Sequence, residues 1–305
     1  MCPMKSVRTK TVVYSLSAAF IWGMAFAFQR SASAYIEAFT FNFYRCVLAV
    51  LSLSVFLFLR RKKMPILNAP GDVKKLLVGS MVTGVLLYVA ANFQQKGIEY
   101  TEAGKAGFLT ALYTVLVPVF GVLFFRKKVT PTLWVSVMIA AAGLYLICVK
   151  EGFTLVRGDM LVLMCSVAYA FYILAVDYYV VGLNSVALSC GHFVVAGILS
   201  GVTALLFEHP SLEALRQCWV GVAYVGICSS ALAYTLQFAA QQIGNPVAVT
   251  LLLCMESVFS VLGGAVLLRE YLSPRELVGC AVMFCAVVLA QLPRDWWKKN
   301  KKSLP

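Results

Sequence analysis

Ten apolar runs divide this chain. Each is about long enough to cross the hydrocarbon core of a bilayer as a helix, which takes roughly 20 residues. They fall near 12–30, 38–59, 76–95, 103–125, 131–149, 159–179, 186–207, 217–240, 246–268 and 274–292. A backbone in lipid must satisfy its own hydrogen bonds, which restricts it to helices or a closed barrel. Runs of this length select helices. Only 13% of the 305 residues are charged and 61% are hydrophobic, whereas a soluble domain carries about a quarter charged residues. The expectation is an all-α polytopic protein of ten transmembrane helices with the lipid bilayer as its partner. The first run has no signal-peptide cleavage pattern and is long enough to stay as an anchor.

The net charge of +13 does not point to nucleic acid, because the cations cluster in short segments between apolar runs. Such clusters face the anionic cytoplasmic leaflet. With the N-terminus inside, cytoplasmic segments hold Lys5, Arg8 and Lys10, then Arg60 to Lys63 with Lys74 and Lys75, then Arg126 to Lys128. The tail, 294–305, adds Arg294, Lys298, Lys299, Lys301 and Lys302. Opposite loops carry scattered cations such as Arg30, Lys96 and Lys150. Both termini are expected in the cytoplasm. The loop at 179–185 should also lie inside, yet has no Lys or Arg. The ten cysteines include no CxxC pair, and those within apolar runs read as small buried thiols rather than a disulfide or zinc framework.

The two halves repeat. Leu112 to Cys148 can be laid on Met255 to Gln291 without a gap, pairing Gly121 with Gly264, Arg126 with Arg269 and Pro131 with Pro274. FFRKKVTP thereby meets LLREYLSP. Upstream, Tyr88 pairs with Tyr234 after one small gap. The halves are 1–149 and 150–293. Five spans is an odd number, so the second set enters the membrane from the opposite side. Inverted repeats support alternating access around a site near the midplane.

MESVFSVLGGAVLLREYLSPRELVGCAVMFCAVVL resembles the end of an EamA-type repeat of the drug/metabolite transporter superfamily. Trp22-Gly23, FNFYRCVLAVLSL around Arg45, and LTALYTVLVPVFGVLFF agree with that resemblance, which covers nearly the whole chain as two copies. The family's proline after the glutamate is Ser257 here; the first half has Thr114, with Pro118 one turn later. The glutamate that usually ends the fourth span is Lys127, while Glu270 is kept in the second half. The resemblance implies transport of amino acids, their derivatives or similar small organic solutes, by export or exchange.

Glu256 stands near the middle of the ninth run. A carboxylate at that depth costs about 2.5–3.5 kcal/mol on insertion scales. It is expected either to line a central cavity, binding a substrate cation or carrying a proton, or to pin one helix to another. Arg45 lies about 7 residues, or ~10 Å, into the second span. It reads as an anion ligand or as a structural arginine snorkelling outward. Tyr113 is the repeat counterpart of Glu256, and Tyr169 that of Trp22. These four, with Tyr88, Tyr234 and Arg45, are the candidate substrate-binding residues, each with helix packing as its alternative. Gln94 and Gln237 lie toward span ends as candidate gate residues. His192 reads as packing rather than a proton relay, and Lys105 as a snorkelling anchor.

No HExxH, GxSxG or phosphate-binding loop occurs. The chain is read as a non-enzyme without cofactor or metal. It is expected to be a secondary transporter of a small-molecule substrate, with a proton as candidate coupling ion. A monomer or homodimer in a bacterial cytoplasmic membrane is expected. The alternatives are a non-transporting scaffold or receptor and a membrane-embedded enzyme.

Overall fold

A computed structural model describes residues 3–62, 65–67, 72–101, 103–148, 156–267 and 273–290. Lys63, Lys150, Arg269, Glu270 and the basic tail lie outside the described residues. Every regular element described is helical. The first half contributes α1 (Pro3–Ala32), α2 (Ala38–Arg60), α3 (Asp72–Ile98), α4 (Ala103–Ala111), α5 (Tyr113–Leu123) and α6 (Pro131–Cys148). The second contributes α7 (Arg157–Tyr179), α8 (Ser185–Phe207), α9 (Leu212–Ala223), a π-helical segment (Tyr224–Ala233), α10 (Tyr234–Ile243), α11 (Pro246–Leu253), α12 (Glu256–Leu267) and α13 (Pro274–Ala290).

Among the described residues, eight helical stretches are long and apolar enough to cross a membrane. The expected fifth span is a shorter apolar helix, Pro131–Leu146. The expected tenth, α13, has 17 residues and spans about 25 Å at helical rise, a little under a full hydrocarbon core. Helix starts follow local chemistry. The Asn184 side chain accepts from the Val186 and Ala187 N–H groups, and Asn245 does the same for Val247 and Ala248 ahead of Pro246. Ser273 and Glu276 form a reciprocal capping box at α13. Thr130, at the matching place before Pro131, accepts from Leu133 N–H. The turn that aligned in sequence thus builds the same kind of helix start twice.

Packing repeats too. α2 lies against α8, and α6 against α13. α3 lies against α7, and its counterpart pair is α1 against the chain from α9 to α10. α4 and α5 lie against α7; the counterpart is α11 and α12 against α1. Exchanging the halves maps each of these pairs onto itself or onto another. Glycine allows the closest approach: a Cβ on Gly23 of α1 would lie 2.5 Å from Phe259 Cβ and 2.8 Å from the Glu256 carbonyl on α12.

Three spans that read as continuous in the sequence are interrupted. The fourth breaks at Leu112 between α4 and α5, and the ninth at Cys254–Met255 between α11 and α12. These breaks fall at aligned positions. Pro118 lies within α5, where it withholds one ladder N–H and crowds the Thr114 carbonyl one turn past the first break. The second forms just before Ser257. There the Met255 N–H bonds the Leu252 carbonyl (3.3 Å) and the Ser257 N–H the Cys254 carbonyl (3.2 Å), three residues back rather than four, which tightens the turn. The eighth span kinks at Cys218 (φ −117°, ψ 16°) and then winds as a π-helix.

The cation-free loop after α7 is served by a neighbour. Lys75 Nζ donates to the Val181 carbonyl (2.5 Å), and Asn184 Nδ2 to the Pro65 carbonyl (2.9 Å). That loop therefore shares a face with the Lys74–Lys75 end of α3.

Candidate functional site

The breaks and the π segment converge on one cavity of about 470 Å³, open mouth included. Each half supplies part of its wall. From the first come Trp22, Phe26 and Gln29 on α1, Arg45 on α2, Gln94 on α3 and Thr110 on α4, with Tyr113 opening α5. From the second come Tyr169 and Tyr172 on α7, Ser229 on the π segment, and Tyr234 and Gln237 on α10. Glu256 is the first residue of α12. Both broken spans thus begin their second piece with a polar side chain in the cavity wall. A helix start directs unpaired N–H groups outward and favours negative charge beside it.

The polar groups form two assemblies. At one end, the Tyr113 hydroxyl donates to Glu256 Oε1 (3.1 Å). At the other, the Arg45 guanidinium acts electrostatically on the Tyr234 hydroxyl, which is 3.0 Å from the Tyr169 hydroxyl. The rings of Tyr113 and Tyr169 stand 6.3 Å apart and join the two ends. Arg45 is 2% exposed and Glu256 4%, yet among the described residues neither belongs to an ion pair. Arg45 Nε and Gln237 Oε1 are buried without a hydrogen-bond partner. Trp22 Nε1 donates to the Ser229 carbonyl (3.2 Å), and its ring meets Tyr234 edge-on at 4.9 Å. Among the described residues, no group of three His, Cys, Asp or Glu could hold a metal ion.

Six of the seven residues singled out from the sequence line this cavity: Glu256, Tyr113, Trp22, Tyr169, Tyr234 and Arg45. Arg45 does not snorkel; it is buried and turned inward. Tyr88 is absent from the wall. Its ring stacks on Phe39 at 6.5 Å, and its carbonyl accepts from Asn92. The reason is winding, because α3 is α-helical through Tyr88 while its repeat partner Tyr234 follows a π segment that alters the register of its face. Gln94 and Gln237, toward the ends of α3 and α10, also line the cavity. His192 is fully buried among Tyr172, Phe193, Tyr234 and Phe238, behind the wall.

Two ion pairs unseen in the sequence frame the site. Lys105 is not a snorkelling anchor but pairs with Asp159 at 2.5 Å, whose carboxylate also accepts from Thr101 Oγ1 and Val156 N–H. Lys127 pairs with Asp177. Arg126 takes a left-handed conformation (φ 51°) and Lys127 N–H returns to the Gly121 carbonyl, which folds the chain back toward α7. The fourth span is thereby fastened to α7 at both ends. Asp159 and Asp177 were legible only as acids near the ends of an apolar run, with nothing in the sequence to mark their partners.

The EamA-like transporter family matches the chain twice, over residues 9–149 and 156–292. A relative from Archaeoglobus fulgidus, named only as an uncharacterized transporter, is 26% identical over 274 residues, covering 90% of this chain and 83% of its own length. A solved crystal structure has the same fold, with a TM-score of 0.76 at 17% identity over 92% of this chain and 96% of that one.

Proposed function

The chain belongs to the EamA-like transporter family, and from that premise we propose that it is a secondary active transporter of a small organic solute, an amino acid or related compound, working as an exporter or exchanger. It is an integral membrane protein. The observation that carries the reading is the cavity itself, walled by both halves and holding a buried carboxylate at a helix break. A carboxylate at membrane depth is expensive unless it faces a cavity or a partner. Glu256 faces the cavity, and among the described residues its carboxylate meets a tyrosine hydroxyl there. Trp22, Tyr113, Tyr169, Tyr234 and Arg45 complete the substrate site in this reading; Tyr88 does not.

Ten spans arranged as two inverted five-span halves fit the exchange of packing pairs described above. In that arrangement α6 and α13, packed together, are the fifth and tenth spans. The basic segments support cytoplasmic termini in a bacterial inner membrane, and Lys75 at the Val181 carbonyl supports the same side for the loop after α7. A proton is the coupling ion, carried by Glu256.

The test is a flux screen with purified protein in liposomes, with and without a pH gradient. Gradient-driven movement of a small organic solute is expected. Solute binding without movement across the membrane would replace this reading with that of a receptor.

A further inference from the structure

We propose that His192 is a binding-site residue of the opposite-facing form of the carrier, where it takes the place that Arg45 holds here. This rests on the reading of two inverted halves, which exchange conformations as the carrier turns over. α2 and α8 each have 23 residues, and Arg45 and His192 are each the eighth. The two helices pack against each other. Their surroundings match as well. A Cβ on Gly84 of α3 would lie 2.8 Å from the His192 carbonyl and 2.6 Å from Val195 Cβ. A Cβ on Gly226 of the π segment would lie 3.2 Å from the Arg45 carbonyl and 2.7 Å from Leu48 Cβ. Val195 and Leu48 each stand three residues further along their helix. Arg45 and His192 therefore occupy the same seat, each beside a glycine in the third span of the other half.

Their access to the cavity differs. Arg45 lines the wall, whereas His192 lies one aromatic layer behind it, its ring 6.1 Å from that of Tyr172 and 5.8 Å from that of Tyr234. Other counterparts are not divided in this way. Trp22 and Tyr169, Phe26 and Ile173, and Tyr113 and Glu256 all line the wall, as a belt that both forms share. Thr110 does divide, because its counterpart Leu253 is buried away from the wall. Exchange of the halves keeps the belt, withdraws Arg45 and Thr110, and uncovers His192.

The hydrogen bonding of His192 supports this assignment. Its Nδ1 lies 3.2 Å from the Leu188 carbonyl and carries the proton, since a carbonyl only accepts. Nε2 is then an acceptor, and it is buried without a partner. Leaving a buried polar atom unpaired costs about 1–3 kcal/mol. Packing alone does not call for that cost, because a phenylalanine would fill the same space without it. In the opposite-facing form Nε2 meets water or solute. The site thus changes from the N–H donors of a guanidinium to the lone pair of an imidazole.

Thiol labelling of the full chain tests this. The probe is sulfonatoethyl methanethiosulfonate, a reagent that does not cross bilayers, applied to spheroplasts and to inverted membrane vesicles. Labelling is read above that of the unaltered protein with its own cysteines. Arg45→Cys and Thr110→Cys should label from one face and His192→Cys from the opposite face; Thr110→Cys serves alone if Arg45→Cys does not fold. Labelling of His192→Cys from neither face, or from the face that labels Thr110→Cys, overturns the inference. If His192→Cys does not fold, His192→Phe and His192→Gln decide, with uptake of a radiolabelled amino-acid mixture as the readout. His192→Phe keeps the ring and should lower uptake at least about ten-fold at unchanged Tm, while His192→Gln, which keeps an acceptor, should retain it. Full uptake by His192→Phe marks the residue as packing and overturns the inference while the transporter reading stands. Movement of no solute of any class by the unaltered protein removes both.

Discussion

The Tyr113 hydroxyl donates to Glu256 Oε1 at 3.1 Å, joining residues 143 positions apart that occupy the same place in the two halves. Each opens the second piece of a broken span. The contact therefore links the two breaks directly, and changes at one should be felt at the other.

Glu256→Gln keeps the size of the side chain and an acceptor for Tyr113. It should reduce pH-driven flux at least about ten-fold while the protein still folds, since charge rather than packing is removed. Flux measured across a series of imposed pH gradients checks this. An unchanged rate and pH profile would rule out Glu256 as the coupling site.

Tyr113→Phe removes the donor and retains the ring. Loss of one buried hydrogen bond to a carboxyl should cost about 1–3 kcal/mol of stability and move the pH midpoint of gradient-driven flux. Thermal unfolding in detergent and the flux profile give the two readouts. A pH midpoint equal to that of the unaltered protein would show that Tyr113 does not influence the carboxylate.

Gly23→Ala places a methyl group against the Glu256 carbonyl, 2.8 Å away, and against Phe259. Backbone cannot yield as a side-chain tip can, so α1 and α12 must separate at a cost of about 1–3 kcal/mol. A lowered Tm with impaired flux is expected.

Reversal of either partner of the Lys127–Asp177 pair should lower flux several-fold, and the swap Lys127→Asp with Asp177→Lys should restore it. Their side chains are 32% and 17% exposed, so the effect on stability should stay within about 1 kcal/mol. Failure of the swap to restore flux would mean the pairing is incidental.

Glu208 follows α8 and accepts from the Phe39 and Thr40 N–H groups and from Thr40 Oγ1 at the start of α2. Glu208→Ala should strand those donors and lower stability by about 1–3 kcal/mol. Thermal unfolding measures it, and the cavity-wall residues should keep their exchange activity.

Much of this is legible in the sequence. Lipid allows few backbone solutions, so length and apolar composition place the helices, and the aligned turn at Thr130–Pro131 and Ser273–Pro274 marks the repeat. Glu256 announced itself because a lone acid in an apolar run has few inexpensive positions. Other features depend on winding and on partners distant in the chain. Tyr88 and Tyr234 align as letters, yet a π segment precedes one of them alone. Asp159 and Asp177 acquire their roles only when Lys105 and Lys127 arrive from another helix. Gln94 and Gln237 sit near span ends in the sequence, and that they share one cavity wall shows only in the packing of the helices.

The frame repeats while its furnishings do not. Tyrosine at 113 answers glutamate at 256, and tryptophan at 22 answers tyrosine at 169. A solute arriving from either side of such a carrier would meet dissimilar surfaces, and the two resting forms would differ in energy. The molecule would then behave as a rectifier, passing cargo more readily in one sense at low load, while the gradients across the membrane alone decide which way net flow runs.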